Sequence, residues 1–270
     1  MPSLTPLHET YCKWDRTPPS QADVLEGLAQ LFSTSLNGVH ELIQVINIEV
    51  LKNAFGISAQ NAKNFQKRPS VQKAYQFSYG ALQKYGSCFL APGLRRIIEK
   101  FPTLHEKPLT PTLHFLVGVL NGIFGDYLLK QHSPLALPMV LYDHYGAIQQ
   151  GELAGRIVIL VHGLCMNHLT WSNAHYGGIG ERLLAQRDHN TMLYLNYNTG
   201  RRISANGRSF SNLLEDLVQR NPRITSIDLI GHSMGGLVSR SALFYGKQNM
   251  YQWIHMVENL VCIGSPHHGA

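Results

Sequence analysis

Charge is scarce in this chain. Lys, Arg, Asp and Glu make up 15% of its 270 residues against 44% apolar residues. That balance excludes a disordered or fibrous protein and is enough for a sizeable core. Cysteine is scarce as well. Cys12, Cys88, Cys165 and Cys262 lie far apart with no C-x-x-C, so neither a disulfide framework nor a metal-ligand spacing is present and reduced thiols are expected. The amino terminus, Met-Pro-Ser-Leu-Thr-Pro-Leu-His-Glu, has no basic start and no apolar run, and does not read as a secretory signal. Long hydrophobic runs are missing too. The best, Leu113 to Leu129, is interrupted by His114, Asn121, Asp126 and three glycines, short of the roughly 20 apolar residues a span needs. It reads as a buried amphipathic helix, and a cytoplasmic location with contact to a membrane surface is expected.

What charge there is lies unevenly. The formal balance is +6, yet ten Lys/Arg face two acids, Glu99 and Glu106, between Lys52 and Lys107. Phe and Tyr residues are interleaved there. Such a run is most simply a solvated helical face over an ordinary aromatic core. The functional alternative is a patch in 52–107 that docks on anionic lipid headgroups. No recognition motif accompanies the charge, so nucleic acid is not an expected partner.

Along the chain, proline-rich residues 1 to 20 read as an extended lead-in. From Gln21 apolar residues recur at steps of three and four, the helix period, with a break expected at Asn37-Gly38. Further helical patterns run from Val71 to Tyr85, after Pro92, and from Leu113 to Leu129. Residues 1–135 thus form a mostly helical region whose histidines stand alone. Near Pro138 the period changes. Strand patterns follow at Pro138–Tyr142, Arg156–Val161, Thr191–Tyr197, Ser226–Ile230 and Asn259–Ile263, the last four starting 35, 35 and 33 residues apart. The gaps hold helical patterns at 180–187, 203–220 and 234–245, with a short piece near 251–256. Strand and helix alternating at that interval predicts right-handed βαβ crossovers, hence an α/β domain over 136–270 built on a parallel sheet. Active sites of such sheets lie at the carboxyl ends of the strands.

One stretch stands at that edge with chemistry in it. The run Ile227–Ile230 ends in Gly231-His-Ser233-Met-Gly235, and a helical pattern starts at Gly236. Gly-x-Ser-x-Gly in a loop is common, but between a strand and a helix it is the nucleophile elbow, with serine on a strained corner and its hydroxyl clear of the sheet. A side chain at Gly231 or Gly235 would meet the neighbouring strand or helix. An acyl-transfer serine also needs oxyanion donors, and the amide of Met234 directly follows it.

Val161-His162-Gly163-Leu164, Gly231-His-Ser-Met-Gly-Gly236 and Gly264-Ser-Pro-His-His-Gly269 together make residues 156–270 resemble the α/β-hydrolase superfamily, and within it the bacterial lipases and esterases. The inositol-deacylase-like hydrolases of the GPI-anchor pathway share the motif set. Over the whole chain, Gly38-Val-His-Glu-Leu-Ile43, Asn121-Gly-Ile-Phe-Gly-Asp126 and Asn196-Tyr-Asn-Thr-Gly200 resemble bacterial esterase/lipase-family proteins with a helical region before the hydrolase core. The resemblance implies Ser233 as nucleophile, the amides of Leu164 and Met234 as oxyanion donors, and Gly231, Gly235, His162, Gly163, His267 and His268 as elbow and site-lining residues. His162 belongs to a His-Gly dipeptide that shapes its loop. No metal and no organic cofactor is implied.

The triad order in this superfamily is Ser, then Asp or Glu, then His. After Ser233 there is no aspartate and one glutamate, Glu258, and the histidines are His255, His267 and His268. In lipases similar Pro-His-x-Gly loops line the site without supplying the base. The expectation is therefore an incomplete hydrolase, cut short after the fourth core strand and nearly inert alone. Its reaction is hydrolysis of a small-molecule or lipid ester through an acyl-enzyme. Acyl transfer or thioester cleavage on the same fold is the second reading. An inactive core beside a membrane- or partner-binding helical region is the third.

Overall fold

The computed structural model describes residues 19–34, 91–172 and 191–268. The patterns read at 1–18, at Asn37-Gly38, at 71–85 and at 180–187, and most of the basic stretch 52–107, lie outside the described residues. So do Cys12, Cys88, Tyr176 and Gly269.

Among the described residues five strands form one sheet in the order β1-β3-β2-β4-β5: β1 (Val140–Tyr142), β2 (Ala154–Val161), β3 (Thr191–Asn196), β4 (Arg223–His232) and β5 (Val257–Ile263). β1 runs antiparallel to β3 and the other neighbours are parallel. The apolar run of β2 is continuous because the strand is covered on both faces. Ile157, Ile159 and Val161 join one core, whereas Val158 and Leu160 join a second with Trp171, Met192 and Tyr194.

Two helices cover the first face, α4 (Ile203–Arg220) and α5 (Met234–Gln248). Phe210, Leu213, Leu214 and Leu217 come from α4, and Val238 and Ala242 from α5. They touch backbone to side chain where Gly207 of α4 meets Ser241 of α5. A 3-10 turn at Gln252–Met256 buries Trp253 beneath them.

The observed β4 starts at Arg223 rather than Ser226, and β5 at Val257 rather than Asn259. Both extensions carry polar residues that apolar counting does not register: Arg223 forms an ion pair with Glu152, and Glu258 forms one with Arg156. Arg156 of β2 bonds Asp228 of β4 at 2.7 Å and Glu258 of β5 at 2.9 Å, and Asn259 donates to Asp228 at 2.8 Å. Glu258 is thus inside a strand, not before one.

Two compact units divide the described chain. Thr110–His132 and the residues from Ala136 onward form one, and Pro19–Leu109 with Ser133–Leu135 forms the other. The first therefore holds α3 (Pro111–Lys130), which the sequence pattern groups with the helical region. Thr110 caps α3 by accepting the Leu113 N–H at 3.3 Å, and Pro111 follows at the first helical position, where its missing N–H costs nothing. α3 is long and apolar enough to cross a membrane, but Val117, Gly118, Leu120, Asn121, Gly125 and Leu128 are buried within the unit. In the other unit, α1 (Gln21–Thr34) starts with a capping box. Ser20 Oγ accepts the Asp23 N–H at 3.2 Å while Asp23 accepts the Ser20 N–H at 2.7 Å. Arg95 of α2 (Ala91–Lys100) pairs with Glu26 at 3.3 Å.

Candidate active site

β2 and β4 are central neighbours in the sheet, and their carboxyl ends carry both loops of interest. Val161 pairs with Gly231, so His162-Gly163-Leu164 and His232-Ser233-Met234 leave the sheet side by side.

Ser233 sits at the corner between β4 and α5 with φ +51° and ψ −122°. That left-handed φ is costly for a residue with a Cβ and persists only where the surroundings enforce it. They do. The Ser233 N–H donates to the Ile263 carbonyl at 2.8 Å, and its own carbonyl accepts from Gly236 at 3.2 Å. Both flanking glycines are obligatory. A Cβ on Gly231 would run into the backbone of Gly236, and one on Gly235 into the carbonyls of Val161 and His162. A serine before a helix ordinarily caps it with its hydroxyl. Ser233 makes no such side-chain cap, so the hydroxyl is left at the positive end of the α5 dipole.

Gly163 lies directly beneath this corner. A Cβ there would stand 3.1 Å from the Ser233 Cβ. The next peptide, Gly163–Leu164, is oriented by what holds its carbonyl. His162 Nδ1 approaches the Gly163 oxygen at 3.0 Å, and the Met166 N–H donates to it at 3.3 Å. In a trans peptide N–H and C=O point opposite ways. With the carbonyl held toward His162, the Leu164 N–H is turned away from it. The Leu164 side chain is 51% exposed.

His162 is itself fixed. It is fully buried, its ring stacks on Tyr197 at 4.5 Å, and Tyr197 Oη donates to its carbonyl at 2.8 Å. Because a carbonyl only accepts, Nδ1 carries the proton. Nε2 is buried as well. Burial pushes the imidazole pKa down to about 4, so the ring is neutral at neutral pH.

His267 and His268 follow β5 at the same sheet edge and are exposed. Arg240 of α5 donates to His267 Nδ1 at 2.9 Å, which places the neutral ring's proton on Nε2 and leaves that nitrogen no lone pair for a base. Glu258 is engaged with Arg156 near the start of β5, about five residues or roughly 15 Å from the serine edge. Among the described residues no imidazole hydrogen-bonds the Ser233 hydroxyl. Trp171 and Phe210, aromatics near the active edge for which either an acyl pocket or core packing is open from the sequence, are core residues at 6% and 0% exposure. Their ring size serves packing. Among the described residues no group of three or more metal-ligating side chains is gathered.

The sequence singles out 196–200 by resemblance alone and does not reveal which residues brace the loop: Tyr197, Thr199 and the buried ring of His168. His168 stacks on Tyr142 at 3.8 Å with 2° between planes and meets His114 edge-on at 5.2 Å. Burial, then the neighbouring His114, pushes its pKa down to about 3. The signal for Tyr197 and Thr199 is their place, at the carboxyl end of β3 beside that of β2.

A mixed, mostly parallel sheet carries a left-handed serine between strand and helix, over a His-Gly loop, which is the geometry of a nucleophile elbow. Residues 152–270 match the family model of the PGAP1-like alpha/beta domain. The mature form of the Bacillus licheniformis lipase BlEst2 is similar at 22% identity, with a TM-score of 0.36 over 48% of this chain and 48% of the lipase. Its propeptide form gives the same identity and score over 26% of its length. The chain thus matches about half of the mature lipase. No curated protein matches it.

Proposed function

We propose that this protein is a serine hydrolase of carboxylic esters. The observation that carries the reading is Ser233 at φ +51°, uncapped and beside Gly163. Ser233 Oγ attacks the ester carbonyl carbon and gives its proton to a base. The amides of Met234 and Leu164 hold the oxyanion, the alcohol leaves with that proton, and water then releases the acid. His162 orients the Leu164 amide rather than taking the proton, and His267 and His268 line the edge. In the superfamily's order the acid and the base come after the elbow helix, and Glu258 and His267 are otherwise engaged. Leu164 and Ile203, both exposed at the carboxyl edge, favour an apolar acyl group and hence a lipid ester. Docking on an anionic membrane through the basic stretch 52–107 accords with that substrate.

The test is a fluorophosphonate probe, which phosphonylates an activated serine. Labelling of the full-length protein is expected, with loss of at least a hundredfold in Ser233→Ala. Labelling that survives in Ser233→Ala removes the assignment.

A further inference from the structure

Two segments flagged by resemblance, 121–126 and 196–200, have no part in the chemistry proposed above. In the fold they interlock. Asn198 Nδ2 donates to the Gly125 carbonyl at 2.9 Å, and Asn206 of α4 donates to the Asn198 carbonyl at 2.9 Å. Gly200 packs on the backbone of Asn121 and Gly125 so closely that a Cβ there has no room. Asn121 is buried, accepting the Leu137 N–H and donating to Val117, both at 2.9 Å. α3 is thereby locked to the loop after β3, in one register.

What lies between these two elements is the continuation of the His-Gly loop. Cys165, directly after Leu164, has φ +60°, a conformation a non-glycine residue keeps only under constraint. Its N–H donates to Thr199 Oγ1 at 3.2 Å. From the other side Gly122 of α3 presses on it. A Cβ on Gly122 would lie 3.1 Å from both the Cα and the N of Cys165, and nearer still to its sulfur. One turn earlier, Gly118 stands so that its Cβ would be 3.1 Å from the Met166 carbonyl. The Gly163–Leu164 peptide is therefore held at one end by His162 and at the other by a helix some 40 residues earlier in the chain.

We infer that α3 is a clamp that positions the Leu164 oxyanion donor, with Gly122 and Thr199 as positioning residues acting through Cys165. This rests on the ester-hydrolase reading for its catalytic consequence, though not for the contact itself. The physical reason is tolerance: a donor must sit about 3 Å from the developing oxyanion, and an ångström of displacement is worth up to a hundredfold in rate.

Gly122→Ala tests it in the full protein. Alanine is the better helix former, so a structural effect confined to α3 would leave the protein as stable or more so. The clamp instead requires the Cys165 backbone to give by a few tenths of an ångström or more. Expected are a drop of ten- to a hundredfold in kcat and in fluorophosphonate labelling rate with KM unchanged. Gly122→Ala/Cys165→Ala, which removes the sulfur from the clash, is expected to recover at least tenfold of it. Thr199→Val, which removes the hydroxyl and keeps the shape, is expected to lower kcat in the same direction, and serves if Gly122→Ala does not fold. Cys165 alkylation by iodoacetamide, read by mass spectrometry, reports the loop without any activity and is expected to change at least fivefold in either variant. Wild-type kcat in folded Gly122→Ala and Thr199→Val, or unchanged Cys165 alkylation, overturns the clamp. Labelling that persists in Ser233→Ala overturns the hydrolase reading and leaves the alkylation result to decide the clamp.

Discussion

Ser233 shows what residue types at fixed spacing reveal and what they hide. Gly231 and Gly235 are legible because steric exclusion leaves them no alternative: side chains there would collide with Gly236 and with Val161 and His162. Tyr197 is not legible in that way. An aromatic at the end of a buried strand reads as core, and its Oη bond to the His162 carbonyl at 2.8 Å depends on strands 35 residues apart coming level. Tyr197→Phe should leave that buried carbonyl short of a donor. A loss of about 1–3 kcal/mol in denaturant unfolding is expected, with a slower fluorophosphonate reaction as His162 relaxes. A variant as stable and as reactive as the parent would show that the hydroxyl holds nothing. The buried histidines carry a pH dependence. His162 and His168 titrate near 4 and 3 in the fold but near 6.5 when unfolded. The unfolded chain then binds more protons below pH 6.5, so stability is full above 6.5 and falls with pH toward 3. Each group contributes roughly 1.4 kcal/mol per pH unit in that window. His168→Gln should flatten the slope between pH 6.5 and 5, above the range of ordinary carboxylates. An unchanged slope would refute the assignment.

At the scale of elements, the period of apolar residues locates the core strands and helices but stops where pairing turns polar. α4 is legible from Ile203 to Arg220 because its buried face is apolar at helical steps. The starts of β4 and β5 are not, since Arg223 pairs there with Glu152 and Glu258 with Arg156, and an apolar period does not register charge. Asp228 is only 8% exposed, and its carboxylate relies on Arg156 and Asn259. Arg156→Met would strand a desolvated charge, and a loss of about 1–3 kcal/mol is expected. Adding Asp228→Asn removes that charge, so the double variant should be the more stable of the two in thermal unfolding. Equal melting temperatures would mean that the buried carboxylate is not the cause. The role of α3 is hidden for a different reason: its glycines face a loop, and a glycine in a helix carries no label for what it admits.

For the whole molecule, the order of elements in sequence accounts for the central strands, because right-handed crossovers leave β3, β2, β4 and β5 few other arrangements. It says less about edges. Among the described residues β5 is an outer strand of the sheet, and its side chains divide. Leu260 packs against the helical core, while Val261 and Ile263 point to the other face at 47% and 37% exposure. An outer strand with β-branched residues on a bare face offers both a hydrogen-bonding ladder and an apolar surface, the combination by which sheets join edge to edge. Self-association through β5 is therefore expected to rise with concentration. Val261→Lys places a charge on the bare face without touching the packed one, and Ile263→Lys does the same two residues nearer the serine corner. Size-exclusion chromatography with light scattering is expected to show Val261→Lys shifted toward monomer at equal concentration, with unchanged helix content by circular dichroism. If both parent and variant are monomeric across the range, the edge is not adhesive; if both associate alike, another surface is responsible.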